Sequence, residues 1–316
     1  MKAQTLQSSL PNPFPPSWSD SWGEDEYGLY ADLVVASITQ RFRWIAAGDY
    51  LMGSPKDEPE RFNWEDQHKV TLSNGYWLAD TAVTQALWQL IMSENPANFK
   101  NDPLNPVEQV SWGDSQKLIK QLNEMFSGQL DGLVFRLPSE AEWEHACRAG
   151  TTTPFNFEGE ADLQSLNYTG IWGEKGWDDK ALQKTAQVKS YPANDWGLYE
   201  MHGNVLEWCF DEWQEVLGSD PAIDPVTAQF QSKTKSITHL FPSAVAQAET
   251  DKTDSPEQKS PYDSALLTNA DVGDVGRVLR GGSWRSNGRL CRSAIRLRDR
   301  AGGRDNRVGF RFSLGL

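Results

Sequence analysis

The chain has 316 residues, 38% of them hydrophobic, with 14 Trp and a net charge of −14. A mean hydropathy of −0.60 and the lack of any long apolar run exclude a membrane-spanning helix. The length suffices for a core, and so many Trp favour a compact body that buries large aromatics.

Charge is unevenly spread. From Arg277 to the end there are 11 Arg, no Lys and two acids, Asp299 and Asp305, a net +9. The rest of the chain holds 19 basic and 42 acidic side chains, a net −23. An Arg-rich end can mark a nucleic-acid arm. The apolar residues between these Arg, and the missing Lys, argue instead for pairing with the acidic body and against nucleic acid. Three cysteines, Cys147, Cys209 and Cys291, show no zinc spacing and leave one over in any disulfide scheme. They suit a reducing compartment. The opening segment has one Lys and no apolar stretch of signal-peptide type, so a cytoplasmic location is expected.

In chain order, residues 1–38 read as an N-terminal extension: a Pro-rich start, an acidic and aromatic patch at Trp22–Tyr30, then a short helix. Phe42–Ile45 and Gly48–Ser54 read as strand, turn and strand, and Lys69–Leu72 as a further strand. Thr84 caps a helix bearing Leu87, Trp88, Leu90 and Ile91 that stops near Pro96. Ser111 opens a second helix with Leu118, Ile119 and Leu122 at helical spacing. Leu133–Leu137 is a strand. Ser139 and Glu142 then form a capping box for a third helix, well buried and ended by Gly150. Residues 151–190 are loop-rich, and Trp196–Trp208 is a Gly-punctuated turn between apolar pieces. Residues 215–275 turn polar and read as an inserted surface excursion whose ends meet in space; deleting Gln247–Ser264 should not disturb folding. Arg277–Trp284 and Val308–Phe312 close the body, which spans 39–316.

In this order, Gly48–Ser54, Val83–Trp88, Pro106–Trp112, Arg136–Gly150, Trp196–Trp208, Arg280–Trp284 and Val308–Phe312 resemble the formylglycine-generating-enzyme (sulfatase-modifying-factor) family. The resemblance implies an α+β, C-type-lectin-like fold. Such a fold has small mixed and antiparallel sheets, two flanking helices and much irregular chain.

The family's enzymes oxidise a substrate cysteine with two active-site cysteines and copper, placed just after the Gly-Gly-Ser-aromatic turn. Here Ser286 stands at the first of those positions and Cys291 coincides with the second, counted forward from the turn. Two converging sulfurs are needed to hold copper(I), and one is missing, so no copper is expected. Catalysis through Cys291, as an oxidase acting on a peptide cysteine, is the alternative reading. The resemblance also implies a structural calcium site at Glu200, Gly203, Val205 and Glu207, oxygen donors on a tight turn. Glu207 is equally readable as a carboxylate buried against an Arg of the tail. A second family calcium site would begin at Asn167–Tyr168, but its acidic partner position holds Lys180, with Asp179 one residue away.

Residues 277–312 also resemble the C-terminal variable region of proteins diversified by retroelements, in which variable residues replace Asn between fixed ones. The fixed set is then Arg289, Cys291, Arg292, Ser293, Ala294, Arg296, Arg298 and Arg304. The variable, ligand-binding set is Arg285, Ser286, Asn287, Leu290, Ile295, Leu297, Asp299, Arg300, Gly303, Asp305, Asn306 and Arg307. This resemblance implies a non-catalytic binding protein whose partner is a protein or a small polar ligand. It carries a sharp structural expectation. Ser293–Arg298 alternates as a strand, and the variable reading turns Ile295 and Leu297 to solvent while Arg296 and Arg298 face the acidic body.

Overall fold

The computed structural model describes residues 10–173, 176–227 and 275–316. In chain order its strands begin with β1 (Ser21–Asp25), β2 (Gly28–Val35), β3 (Ile38–Ile45), β4 (Gly48–Met52), β5 (His68–Leu72) and β6 (Tyr76–Ala79). Helices α1 (Gln85–Met92) and α2 (Trp112–Met125) follow, then β7 (Val134–Arg136) and helix α3 (Glu140–Arg148). The chain continues through β8 (Leu206–Glu212), β9 (Ala222–Ile223), β10 (Gly276–Arg280), β11 (Leu297–Arg300), β12 (Val308–Gly309) and β13 (Ser313–Gly315). Among the described residues these make three small sheets and three helices, with the rest irregular. The expectation of two flanking helices is thus corrected to three.

The six-stranded sheet has the order β1-β2-β3-β6-β13-β7. Its interior strand β13 comes from the end of the chain and lies antiparallel between β6 and β7, with Ser313 opposite both Leu78 and Arg136. The fold closes only when the last residues are in place. The second sheet, β11-β10-β8-β12, carries the tail, and the third is β4-β5-β9.

Within the region read as an extension, the local elements differ from those expected. Residues 21–35 are two strands instead of a patch and a short helix, and β2 pairs with β3 along its length from Tyr30 to Val35. Alternation in Ala31, Leu33 and Val35 puts three buried side chains on one face, which strand periodicity allows and helical spacing does not. Trp18 is 1% exposed and packs edge-on against Phe42 at 5.2 Å and Trp77 at 5.6 Å. Edge-on aromatic pairs of this kind add about 0.5–1.5 kcal/mol each beyond area burial.

The expected capping box of Ser139 with Glu142 forms, and Ser111, expected to open α2, forms one with Asp114 as well. They fix the start of α2 and α3 by satisfying backbone N–H groups that have no partner within the helix. The excursion's two sides meet where Trp213 N donates to Gly276 O at 2.8 Å. Its first residues are anchored, because β9 adds a parallel strand to β5. Gln247–Ser264 lies outside the described residues.

Candidate functional site

All nine residues of α3 are buried, although five of them are ionisable Glu, His or Arg. An amphipathic helix would expose such groups, and burying them is tolerable only with partners. The tail supplies those partners. Arg280 pairs with Glu144 and lies 3.4 Å from Glu140. Arg296 grips Glu140 through two parallel bonds, Nε to Oε1 at 2.6 Å and Nη2 to Oε2 at 2.8 Å. Arg148, from α3 itself, takes the other oxygen of Glu144 at 2.8 Å. Burial works to raise the Glu144 pKa, but the Arg148 and Arg280 guanidiniums more than offset it and hold it below the ordinary value. Elsewhere Arg292 reaches Glu65 at 2.7 Å and Glu58, and Arg311 clamps Glu207 at 2.7 Å. The uneven charge of the sequence is therefore an internal ion-pair lattice between tail and body.

The tail's path follows from local chemistry. Gly281 and Gly282 both take positive φ, +93° and +75°. A Cβ on Gly282 would sit 2.6 Å from the Cys291 Sγ, so only glycine fits there. Ser283 N donates to Ser286 Oγ at 3.0 Å and closes the turn. Asn287 caps a single 3-10 turn, Gly288–Cys291. Ser293 N then donates to Pro154 O at 2.7 Å, and Arg296 drops into its carboxylate before β11 begins.

Against this path the twelve candidate binding residues divide. Arg285 and Arg300 are exposed, and Asn287, Leu290, Leu297, Asp299, Gly303, Asp305, Asn306 and Arg307 are half-buried. Ser286 is buried in the turn, and Ile295 is fully buried. The structure gathers one cluster. Arg307 binds Asp305 at 2.7 Å and, with help from Arg285, holds that carboxyl below its ordinary range. Gly303 lies against the Asp299 carboxylate. Asn287 and Leu290 sit apart, beside the Ile171–Trp172 strand of loop, to which Gly288 N donates at 2.8 Å.

Two expectations about Ser293–Arg298 are corrected. The segment is not a continuous strand, because β11 starts only at Leu297. Arg296 is buried and paired as expected, but Ile295 also points inward and Arg298 is exposed over the Trp213 ring, 5.6 Å from its centroid. Leu297 is only partly buried and packs on the main core. The turn before β11 lets 295 and 296 both face inward, which strict alternation forbids.

Cys291 is buried among Phe155, Leu166 and Tyr168, and burial pushes its thiol up to about 12. A thiolate nucleophile needs the opposite environment. All three cysteines are free and buried.

The calcium set does not fit an ion. Glu207 Oε2 accepts from Trp143 Nε1 and Arg311 Nε, each at 2.7 Å, and Oε1 accepts from Arg311 Nη2 at 2.8 Å. The carboxylate that should ligate is already neutralised, as the alternative reading of Glu207 had it. Gly203 holds its tight turn against Asn167, and Val205 is buried beside it. In the second expected site, Asn167 buttresses that turn by donating to Lys184 O and Asn204 Oδ1. Lys180 and Asp179 are exposed. Among the described residues no cluster of three His, Cys, Asp or Glu could hold a metal.

One feature was missed in the sequence: a cavity of about 1360 Å³ between residues 150–161, Trp172 and the Pro192–His202 segment. The only hint was the Phe155–Phe157 pair in a stretch read as plain loop.

A profile of the FGE-sulfatase family, the sulfatase-modifying factor enzyme 1-like domain, matches residues 36–314. The chain belongs to this family. Curated relatives include the formylglycine-generating enzymes of Thermomonospora curvata, 29% identical over 58% of this chain, and Mus musculus, 34% identical over 59% of it. Chaperone protein LppX of Paenibacillus barcinonensis is 30% identical over 46% of the chain. The matches span 59%, 50% and 64% of those three relatives' own lengths. Among solved structures, Treponema denticola variable protein 1 shares the fold with a TM-score of 0.67 at 24% identity, over 91% of this chain and 99% of that one. PvdO from Pseudomonas aeruginosa shares it with a TM-score of 0.62 at 20% identity, over 94% and 99%.

Proposed function

We propose that this chain is a non-catalytic ligand-binding protein whose C-terminal surface is diversified by a retroelement. The observation that carries the reading is how the tail divides by burial. Cys291, Arg292, Ser293, Ala294 and Arg296, all of the fixed set, are buried, the two Arg on body carboxylates. Ten of the twelve variable positions keep solvent contact. A rigid body held by buried ion pairs can carry many side chains at its surface, because those side chains add little to the core. Ser286 and Ile295 leave the binding set on this account, and Arg298 and Arg304 of the fixed set border it. Charged Arg285, Asp299, Arg300, Asp305 and Arg307 suit a protein or a small polar ligand bound by charge-assisted hydrogen bonds. The likeness in fold to a variable protein supports the reading.

The test is a displayed library of this chain randomised at Arg285, Asn287, Leu290, Asp299, Arg300, Asp305, Asn306 and Arg307. Folded clones that bind different protein targets are the expected result. A library in which nearly all clones fail to fold would overturn the reading.

A further inference from the structure

The six-stranded sheet ends in β1 on one side and β7 on the other, and the two edges are finished differently. At β7 one side chain of α2 takes the outward backbone groups of Phe135. Asn123 Nδ2 donates to Phe135 O, and Phe135 N donates to Asn123 Oδ1, each at 2.8 Å. At β11, an edge of the tail sheet, Arg300 N donates to Asp299 Oδ1 and Arg300 O accepts from Gly303 N, both at 2.7 Å. Edge groups satisfied in this way are not open to another strand. β1 lacks such a cover among the described residues.

Its pairing shows which groups are left over. Asp25 lies opposite Gly28 across a two-residue turn, and Gly23 lies opposite Tyr30. In such a hairpin the residues flanking the turn exchange hydrogen bonds, and so does every second pair after them. These two pairs therefore hold the bonds, and the N–H and C=O of Trp22 and Glu24 point away from β2. No other partner meets those groups among the described residues. The strand itself is held in place. Ser21 Oγ donates to Asp32 Oδ2 at 3.0 Å, and Arg43 pairs with Asp25 at 2.6 Å. The Tyr30 ring covers Gly23, where a Cβ would lie 2.7 Å from the Tyr30 hydroxyl. An edge already formed leaves an incoming strand only its own ordering to offset.

The side chains decide what kind of strand fits. Trp22 and Glu24 share one face of β1. Trp22 is 50% exposed and meets Phe14 edge-on at 4.8 Å. Glu24 and Glu26 are exposed and hold no ion pair among the described residues. From residue 10 to residue 40 the chain carries five acids, Asp20, Glu24, Asp25, Glu26 and Asp32, and no Lys, Arg or His. A second copy of β1 would bring the same acids to the seam, and like charges across a strand pair destabilise it. A strand of opposite charge gains where a copy loses. Its residue opposite Trp22 is apolar and its residue opposite Glu24 basic, two places apart on one face.

We propose that β1 is a docking edge, on which a partner protein adds an extended segment of alternating apolar and basic side chains as one more strand of the sheet. The probe is a short synthetic peptide in which every second residue is Thr and those between are Val and Lys in turn. It is titrated calorimetrically against the full chain. Two controls run beside it: the same peptide methylated on its backbone nitrogens, and one with Glu in place of Lys. The Lys peptide should bind, and both controls should bind at least about tenfold more weakly. Hydrogen exchange should find the Trp22 and Glu24 amides open in the free protein and Gly23 protected, and binding should slow the first two at least about tenfold. Trp22→Ser and Glu24→Lys, both at exposed positions, should each weaken the Lys peptide about fivefold. Arg285→Ser with Arg307→Ser should leave it unchanged, which separates this edge from the tail surface. Failure of the Lys peptide to bind would overturn the proposal. So would equal binding of the methylated peptide, which would reduce the effect to charge alone. Protection of Trp22 and Glu24 that rises with protein concentration would overturn it in favour of a second copy.

Discussion

Arg296 and Glu140 form a two-bond ion pair, both side chains almost wholly out of solvent, that joins the tail to the first turn of α3. The same guanidinium donates to Gln214 O at 3.0 Å and lies over the Trp213 ring at 4.6 Å. Removing the cation leaves Glu140 buried with Arg280 at 3.4 Å as its remaining charged partner. Arg296→Ala should cost about 3–5 kcal/mol of unfolding free energy in denaturant titration, the usual penalty for orphaning a buried charge. Arg296→Ala with Glu140→Ala should cost less than the two single losses added, because the second removes the charge stranded by the first. A loss under about 1 kcal/mol would place the pair among weak surface bridges.

Ile295 is the residue whose burial separates two readings of the tail. Because it is fully buried, Ile295→Ala should destabilise by about 2–5 kcal/mol, whereas Leu297→Ala, half-exposed, should cost clearly less. Equal, near-zero effects would put both side chains in solvent.

Glu108 gives the fold a pH dependence. It is fully buried, Oε1 accepts from Phe99 N at 2.8 Å, and Oε2 has no hydrogen-bond partner. Burial pushes its pKa up to about 7, against the opposing backbone N–H groups of Phe99 and Asn98 and with nearby Asp305 adding to the rise. The folded state therefore binds this proton more tightly than the unfolded chain does. Its contribution is present below the unfolded value of 4.5 and is lost as pH rises to about 7. Glu108→Gln should melt near wild type at pH about 4 and above it at pH about 8. A variant that gains nothing at the higher pH would contradict this.

Cys291 and Glu207 set two chemical expectations. The buried Cys291 thiol, pushed up to about 12, should resist alkylation in the native protein at pH about 8 and react only on unfolding. Copper(I) with a cysteine peptide should yield no aldehyde; aldehyde formation would restore the oxidase reading. With Glu207 held by Arg311 and Trp143, calcium should leave the melting temperature unchanged. A rise of several degrees with added calcium would show that the ion displaces Arg311.

Local chemistry was legible in the residues themselves. Ser111 and Ser139 announce their helices because a capping box is a contact over three residues. Gly281–Gly282 announces a turn because no Cβ fits there. What stayed hidden depends on distant partners. Trp18 reads as part of a Pro-rich leader until Phe42 and Trp77 enclose it. Pairing of the tail Arg with the acidic body was readable from charge, but not which acids meet them: Glu65 for Arg292 and Glu140 for Arg296, from far earlier in the chain. The variable reading of the tail placed Ile295 wrongly, because it set Ile295 opposite Arg296 on a strand that the Ser293–Ala294 turn delays to Leu297. The cavity is assembled from three loops, and loops carry no period to read.

The central claim is that the exposed tail residues can change while the tail's anchor cannot. Denaturant unfolding of one chain carrying Arg285→Ser, Leu290→Ser, Asp299→Ser, Arg300→Ser and Arg307→Ser tests it most directly. Surface substitutions usually stay within about 0.5 kcal/mol each, so this five-fold variant should lose less stability than Arg296→Ala does alone. A five-fold variant that unfolds more readily than Arg296→Ala would show that these side chains hold the fold together and are not free to vary.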